Sequence, residues 1–230
     1  MDKPNLGEAW TAPASPATVT IQTSPRLTIR PVTSKTPSTA RSRVVEMLLF
    51  AGNFIRHPHM LGSIIPSSRF LVNQMLEPID WARARVIVEY GPGVGTFTGE
   101  ILKRMHRDAH LVVIETNRDF VRFLKASFPD PRLHVEHGSA ADVRDILQRL
   151  GLPPAGYIIS GIPLGSMPEP VRADIVGKSR DALEPGGEFL VYQFTSRVLP
   201  VLQRTFRSVR RGVERRNLPP AKLFVCANEA

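Results

Sequence analysis

The sequence VIVEYGPGVGT at residues 86–96 decides the fold. Its apolar run reaches Glu89, and three glycines then follow at every second position, Gly91, Gly93 and Gly95. Glycine lets the backbone turn where side chains forbid it and lets a ligand approach closely. A helix that begins after such a turn exposes unpaired N–H groups to an anionic ligand. The stretch therefore predicts a buried strand, a ligand-binding loop and a helix.

The glycine spacing favours one class of cofactor. A dinucleotide fingerprint is G-x-G-x-x-G, whereas this loop has G-x-G-x-G after Glu89. Glu115 ends the next apolar run, where a carboxylate can accept hydrogen bonds from both hydroxyls of a ribose. The stretch resembles S-adenosylmethionine-dependent methyltransferases. The resemblance implies S-adenosyl-L-methionine as cofactor, with its methionine end over Gly91, Gly93 and Gly95 and Glu89 near its amino group.

Strand-like and helical segments alternate after this loop. Predicted strands are 86–88, 111–114, 133–135, 157–159 and 189–194, and predicted helices are about 97–106, 118–127, 140–150, 168–183 and 196–205. Such alternation predicts a mainly parallel sheet with helices on both faces. Residues 207–215 and 222–227 instead favour two strands in a hairpin-like return. The predicted class is α/β: a Rossmann-like class I methyltransferase fold, with a mainly parallel seven-stranded sheet and an antiparallel C-terminal strand.

The first 80 residues have a different character. Residues 1–40 are rich in Pro, Ser, Thr and Ala without any period, which predicts a disordered arm. Residues 41–80 predict an N-terminal helical extension, and the apolar helix at 43–55 either packs on the core or lies in a membrane interface. Residues 81–230 form the predicted methyltransferase domain.

Composition limits the partners and the compartment. The chain has 230 residues with 30 Lys+Arg against 21 Asp+Glu, a net charge of +9, which predicts a polyanionic partner. The single cysteine, Cys226, excludes an internal disulfide framework and a multi-cysteine zinc site, and no metal is expected. Neither a spanning apolar run nor a secretory signal is visible, so we expect a cytoplasmic protein. Arginines are dense near the end: Arg204, Arg207, Arg210, Arg211, Arg215 and Arg216.

The end of the third predicted strand offers a further cofactor contact. In methyltransferases this corner contacts adenine, often through an acid that follows a glycine. This chain has Ser139 at that position. The resemblance therefore implies adenine recognition by Ser139 and Ala140, through backbone and apolar contact. Asp142 either joins them or begins the next helix.

Four stretches carry a more specific resemblance. SGIPL at 160–164 follows the fourth predicted strand; the others are GSIIPSSR at 62–69, YQFT at 192–195 and RNLPPA at 216–221. In this order around a cofactor loop, they resemble small bacterial phospholipid N-methyltransferases of the phosphatidylethanolamine type, whose relatives include ornithine-lipid methylases. The resemblance covers about residues 43–228.

This resemblance implies a reaction at the nitrogen of a lipid headgroup. A neutral amine attacks a positively charged sulfonium methyl, so positioning and removal of water supply most of the rate. The Ser160 hydroxyl and the carbonyls of Gly161 and Ile162 would orient the N–H groups. The aromatic faces of Tyr192 and Tyr90 would hold the product cation.

Three functions are compatible with these features. The first is methylation of an amine-headgroup lipid (phosphatidylethanolamine, its methylated forms or ornithine lipid) by an enzyme at the inner face of the cytoplasmic membrane. The second is adenine dimethylation of ribosomal RNA, against which residues 160–164 lack the planar amide and the aromatic that a base needs. The third is a non-catalytic binding module, which the intact loop and Glu115 disfavour. We therefore expect an anionic membrane surface, rather than nucleic acid, as partner.

Overall fold

The structure is a computed structural model that describes residues 67–228. Its strands are β1 (Val86–Tyr90), β2 (His110–Glu115), β3 (Leu133–His137), β4 (Ala155–Ser160), β5 (Leu183–Gln193), β6 (Ser208–Glu214) and β7 (Ala221–Ala227). Its α-helices are α1 (Arg69–Leu76), α2 (Thr96–Arg104), α3 (Arg118–Ser127), α4 (Val143–Arg149), α5 (Glu169–Asp181) and α6 (Leu199–Thr205). Short 3₁₀ turns occupy Ala140–Asp142 and Leu164–Ser166. The predicted disordered arm and the apolar helix at 43–55 lie outside the described residues.

One sheet joins the seven strands in the order β3-β2-β1-β4-β5-β7-β6. All neighbours from β3 to β5 pair in parallel, whereas β7 is antiparallel to both β5 and β6. The predicted fold class is confirmed, including the antiparallel C-terminal strand. Because β1, β4 and β5 are parallel neighbours, their carboxyl ends lie together, and we call this side of the sheet the carboxyl edge.

The two faces of the sheet pack against different helices. Successive side chains of a strand alternate between faces, so Glu89 lies on one face of β1 and Tyr90 on the other. Helices α1, α2 and α3 pack on the Glu89 face, and α4, α5 and α6 pack on the Tyr90 face. Strand β4 continues this alternation, because Glu89 pairs with Ile159 and Tyr90 with Ser160.

Tyr90 belongs to the core and not to a binding site. Its side chain is fully buried, its hydroxyl lies 3.2 Å from Ser179 Oγ, and its ring packs against Phe189 at 6.3 Å between centroids. The prediction that Tyr90 holds the product cation is therefore wrong, because its ring is enclosed by α5 and β5.

Helix α1 shares the core of the sheet. Its apolar side chains Leu71, Val72, Met75 and Leu76 are buried in the cluster on the Glu89 face. The Ser68 side chain caps the helix by accepting a hydrogen bond from the Leu71 N–H. Residues 69–76 therefore pack as part of the methyltransferase core. Between residues 67 and 228, no helix has the length and apolarity that crossing a bilayer requires.

Two elements differ most from the prediction. Strand β5 begins at Leu183, upstream of the predicted 189, because Gly186 at φ +79° allows the strand to continue through a bulged pairing with β4. The predicted helix at 140–150 is divided into a 3₁₀ turn and α4, since Ser139 and Asp142 form a capping box around the turn.

Candidate active site

The glycine loop between β1 and α2 has a backbone that requires glycine. Gly91, Gly93 and Gly95 all have positive φ angles, of 62°, 55° and 81°. A Cβ atom on Gly91 would lie 2.6 Å from Ile162 Cγ2, and one on Gly95 would lie 2.5 Å from the Phe128 ring. The loop therefore places bare backbone at the start of α2, where unpaired N–H groups face outward.

Glu115 closes the loop from the end of β2. Its side chain is 8% exposed, and its Oε1 accepts hydrogen bonds from the Asn117 N–H at 2.8 Å and the Thr116 hydroxyl at 3.4 Å. Burial raises the pKa of this carboxyl, and hydrogen bonds from the backbone N–H groups of Asn117, Thr116 and Gly93 oppose that rise. The carboxylate thus lies beside the glycine loop, and its contact with a ribose stays a prediction.

Glu89 is a buried acid at the end of β1. It accepts a 2.6 Å hydrogen bond from the Thr98 hydroxyl of α2. Burial raises the pKa of Glu89 to about 7; the Thr98 hydrogen bond opposes the rise and the nearby charge of Glu115 adds to it. A cation close to this carboxyl would favour its ionised form.

The corner after β3 is organised by its own hydrogen bonds. Ser139 Oγ accepts from the Ala141 N–H at 3.1 Å, and Asp142 Oδ2 accepts from the Ser139 N–H at 3.3 Å. Asp142 therefore takes part in a capping box. Ala140 is buried against the Tyr90 face. Contact of Ser139 and Ala140 with adenine stays a prediction.

A cavity opens at the carboxyl edge between β1, β4 and β5. Its lining residues are Ser67, Glu89, Gly91, Pro92, Val94, Thr96, Phe97, Ile159, Gly161 and Tyr192. Glu89 supplies a carboxyl, Ser67 and Tyr192 supply hydroxyls, and Phe97 supplies an aromatic wall. The cavity thus joins the cofactor loop to the predicted acceptor residues Gly161 and Tyr192.

Tyr192 is fixed within this cavity by aromatic packing. Its ring stacks on Phe97 with 5.6 Å between centroids and meets the edge of Phe194 at 6.5 Å. Ser67 Oγ lies 3.4 Å from its hydroxyl. Burial raises the pKa of Tyr192, and the charge of Glu89 adds to this, so the phenol stays protonated at neutral pH.

Gln193 holds the SGIPL loop in place. Its Nε2 donates to the carbonyls of Ile162 at 2.8 Å and Tyr192 at 2.7 Å, while its Oε1 accepts from the Gly165 N–H at 3.0 Å. The side chain is buried. Strand β5 therefore determines the path of residues 161–165 through one amide group.

Two of the four predicted acceptor residues do not present the expected groups to the cavity. Ser160 lies on the Tyr90 face, where its Oγ is fully buried and makes no hydrogen bond within residues 67–228. The Ile162 carbonyl already accepts from Gln193 and from the Leu164 N–H, at 2.8 Å each. This geometry does not support acceptor contact by the Ser160 hydroxyl or the Ile162 carbonyl, and it leaves Gly161 and Tyr192 at the cavity.

Asn217 fastens the RNLPPA corner to the start of α1. Its Oδ1 accepts from the Ser68 N–H at 3.1 Å, and its Nδ2 donates to the Pro219 carbonyl at 2.8 Å. Arg216 lies over the Phe70 ring at 4.2 Å, and its guanidinium and backbone N–H donate three hydrogen bonds to the Glu214 carboxylate. The described part of the 62–69 motif and the motifs at 192–195 and 216–221 are therefore joined to the site by hydrogen bonds.

Sequence reasoning assigned no role to three side chains that build the site: Thr98, Phe97 and Gln193. Thr98 and Phe97 lie on the first turn of α2, directly after the glycine loop, so their position in the sequence indicates that they lie near the site. Gln193 lies within the YQFT motif, but the residues it contacts, 162–165, are distant in sequence, so the motif alone does not predict these contacts.

The site fits S-adenosyl-L-methionine. The bare backbone at Gly91, Gly93 and Gly95 leaves room for close approach, and Glu115 offers a carboxylate where a ribose would lie. The buried Glu89 carboxyl suits a positively charged amino group. These residues would hold the cofactor, which supplies a methyl group on a positively charged sulfur.

An ornithine lipid N-methyltransferase from Singulisphaera acidiphila is 35% identical to this chain over 187 residues, which cover 79% of the chain and 95% of that enzyme. The chain belongs to the ornithine lipid N-methyltransferase family. The resemblance read from its motifs is confirmed, and the chain is a class I S-adenosylmethionine-dependent methyltransferase.

Other known proteins are similar to this chain over a smaller part of its length or at lower sequence identity. The N-methyltransferase NodS from Bradyrhizobium japonicum, in complex with S-adenosyl-L-homocysteine, has a TM-score of 0.56 at 13% identity, over 71% of this chain and 89% of that one, and so shares the fold. The family model for ribosomal RNA adenine dimethylase matches residues 57–144. Ribosomal RNA small subunit methyltransferase A of Mycoplasma mycoides is 37% identical over 76 residues, 33% of this chain and 26% of that protein.

Proposed function

We propose that the chain methylates the nitrogen of an amine-headgroup membrane lipid: ornithine lipid, phosphatidylethanolamine or its methylated forms. The observation that carries the proposal is the extent of the lipid-enzyme match, which covers 95% of the Singulisphaera acidiphila enzyme and therefore includes the acceptor half. The proposed place of action is the inner face of the cytoplasmic membrane, with an anionic surface as partner.

The similarity to RNA enzymes has a different extent. The adenine dimethylase match ends at residue 144, before the acceptor loop at 160–164 begins. It therefore reports the cofactor-binding half, which methyltransferases with different acceptors share. The loop itself carries neither an amide side chain nor an aromatic ring, which supports a flexible aliphatic amine over a planar base as the acceptor.

The residues of the cavity suggest how an amine would be held. The carbonyl of Gly161 and the hydroxyl oxygen of Tyr192 can accept N–H bonds, which leaves the nitrogen lone pair free to face the methyl group. The stacked rings of Phe97 and Tyr192 offer an aromatic surface for the ammonium cation, which gains one methyl group at each step. Their packing also excludes water, so that positioning and desolvation supply the rate.

The test is a transfer assay with the purified chain and a labelled methyl donor. Vesicles with ornithine lipid, vesicles with phosphatidylethanolamine and unmodified ribosomal RNA are offered in parallel, and products are resolved by headgroup mass for one, two or three methyl additions. We expect label on at least one amine lipid and none on RNA. Label on RNA with none on either lipid would overturn the proposal.

Two variants serve as controls for that assay. Glu115→Ala removes charge-assisted hydrogen bonds to the ribose, each on the order of 1.5–3 kcal/mol, and should abolish transfer together with cofactor binding in calorimetry. Glu77→Ala changes an exposed acid just beyond α1 and should leave both intact. If folded Glu115→Ala binds the cofactor with unchanged affinity, then Glu115 does not bind the ribose.

A further inference from the structure

The loops of the acceptor half form a rim around the cavity. Strands β5 and β6 are both antiparallel to β7 and so run in the same direction. The segments that follow them, 194–198 and 215–222, therefore lie at the carboxyl edge beside the SGIPL loop. Lys222 Nζ donates a 2.7 Å hydrogen bond to Ser196 Oγ, which joins the two segments. We call residues 161–168, 194–198 and 215–222 the acceptor rim.

The acceptor rim presents apolar side chains to solvent. Leu218 is 85% exposed and Phe194 is 39% exposed. Phe194 contacts Tyr192 edge to face, and Tyr192 lines the cavity. An apolar path therefore leads from the surface of the rim, through Phe194, to the site where the acceptor amine is proposed to lie.

Asn217, the neighbour of Leu218, fixes the backbone conformation that exposes the Leu218 side chain. Asn217 is buried, and its amide is engaged on one side by the Ser68 N–H at 3.1 Å and on the other by the Pro219 carbonyl at 2.8 Å. The backbone around Leu218 is thus fixed to the start of α1. Two prolines follow directly and restrict the loop further. The Leu218 side chain consequently projects into solvent from a loop whose backbone is fixed.

Every charged residue of the acceptor rim is basic. Arg197, Arg215, Arg216 and Lys222 lie within it, and Asp and Glu are absent from these segments. Arg216 is paired with Glu214, but Arg197, Arg215 and Lys222 have no ion pair within the described part of the chain. A surface that combines positive charge with an exposed aliphatic side chain complements an anionic lipid interface.

We propose that the 215–220 loop is a membrane anchor: Leu218 enters the interface of an anionic bilayer while Arg215, Arg197 and Lys222 meet the headgroups, so that the cavity faces the lipid surface. The proposal rests on the proposed lipid substrate. An RNA strand would use aromatic rings for stacking, whereas Leu218, the more exposed of the two large apolar side chains that this rim presents to solvent, is aliphatic and is followed by Pro219 and Pro220.

The anchor is tested by vesicle binding with the full chain. The probe is a vesicle of phosphatidylglycerol and phosphatidylcholine without any amine lipid, in sedimentation at low and high salt. Leu218→Ser should weaken the partition coefficient by about tenfold, because an apolar side chain leaves the interface. Arg215→Glu should weaken it by about tenfold at low salt and less at high salt.

The matched control is Arg107→Glu. Arg107 lies between α2 and β2, at the opposite edge of the sheet, and its side chain is 88% exposed. It carries the same change of charge and should leave vesicle binding within twofold of the parent. Equal binding by Leu218→Ser, Arg215→Glu and the parent would overturn the anchor. A loss of binding to a ribosomal RNA fragment, with vesicle binding unchanged, would overturn it also.

A transfer assay separates this proposal from the proposed function. Leu218→Ser should lose about tenfold in transfer to amine lipid in vesicles and keep transfer to a short-chain amine lipid dissolved as monomers. If the parent methylates neither form yet binds vesicles through Leu218, the proposed function fails and the anchor stands. If it methylates vesicles and Leu218→Ser does so equally well, the anchor fails and the function stands.

Discussion

The cofactor half and the acceptor half of this methyltransferase are built by different means. In the cofactor half, from β1 to α4, backbone conformation makes the site: three glycines with positive φ precede a helix, and one acid closes the loop. In the acceptor half, from β4 to β7, side-chain amides hold irregular backbone in place, Gln193 at the SGIPL loop and Asn217 at the RNLPPA corner.

This difference explains how the similarities are distributed. Backbone conformation can be reused with any acceptor, and the cofactor half accordingly matches RNA and lipid enzymes alike. The side-chain amides of Gln193 and Asn217 depend on particular partners, and both lie beyond residue 144, where the match to the adenine dimethylase model ends. The lesson is that substrate class in this fold is to be sought after β4, not in the glycine loop.

A single methyl group added to the glycine loop should greatly weaken cofactor binding. In Gly91→Ala, a Cβ at φ +62° would overlap Ile162 Cγ2. The left-handed backbone alone costs a side chain about 1–2 kcal/mol, and the overlap adds to it. We expect cofactor affinity to fall by about 100-fold or more in calorimetry.

Gly177→Ala is the control for that experiment. Gly177 lies inside α5, and a Cβ there would contact nothing within 4 Å. The substitution should stabilise the chain by about 0.5–1 kcal/mol and leave cofactor affinity unchanged. Equal affinity in Gly91→Ala would show that the loop tolerates a side chain and that the backbone argument is mistaken.

The buried acid of the cofactor half should make stability depend on pH. Burial raises the pKa of Glu89 from 4.5 to about 7, so the folded chain keeps a proton that the unfolded chain releases. The resulting stabilisation is complete below pH 4.5 and is lost as the pH rises through about 7. Glu89→Gln, which stays neutral, should therefore gain up to about 3 kcal/mol over the parent at pH 8 relative to pH 5.

Urea unfolding without cofactor measures this difference. The curve of unfolding free energy against pH should fall more steeply in the parent than in Glu89→Gln between pH 5 and pH 8. Parallel curves would mean that Glu89 is already ionised at pH 5 in the folded chain.

The acceptor half should lose turnover and keep its cofactor. Gln193→Met removes the amide that joins Ile162, Tyr192 and Gly165. Each buried group left unpaired costs about 1–3 kcal/mol, so we expect kcat to fall by about 10–100-fold while cofactor affinity changes less than twofold. Gln203→Met, on the exposed side of α6, is the control. A drop in cofactor affinity as large as that in kcat would contradict the separation of the halves.

The smallest effect should distinguish the two faces of the sheet. Tyr90→Phe removes a hydroxyl that is hydrogen-bonded to Ser179 in the core, and should lower stability by about 1 kcal/mol without changing kcat. Tyr192→Phe removes a hydroxyl that lines the cavity and should lower kcat several-fold with little change in stability. The opposite pattern would place the acceptor on the Tyr90 face.

Features that depend on residues close together in the sequence could be predicted from it. The glycine spacing and Glu115 lie within one strand-turn-helix unit and the end of the next strand, so the loop, its helix and the class of cofactor could be predicted. The parallel pairing of the sheet followed from the alternation of strands and helices, because parallel neighbours need helical crossovers, whereas the strand order became visible only in the structure.

The acceptor residues depended on information that no short segment contains. Whether Ser160 or Ile159 faces the cavity is determined by the register of β4 against β1, in which Glu89 pairs with Ile159. A shift of one residue would have exchanged them. The pairing of the Ile162 carbonyl with Gln193 likewise joins groups 31 positions apart. Long-range pairing, rather than residue type, determined which of the predicted acceptor residues line the cavity.

The contact between Gly91 and Ile162 joins the two halves thermodynamically. The Ile162 side chain occupies the space where a Cβ of Gly91 would lie, so a displacement of either loop must be accommodated by the other. If the acceptor substrate shifts residues 161–162 on binding, it changes the affinity for the methyl donor, and by linkage the donor changes the affinity for the acceptor by the same factor. Packing of Ile162 against Gly91 thereby couples the two binding affinities.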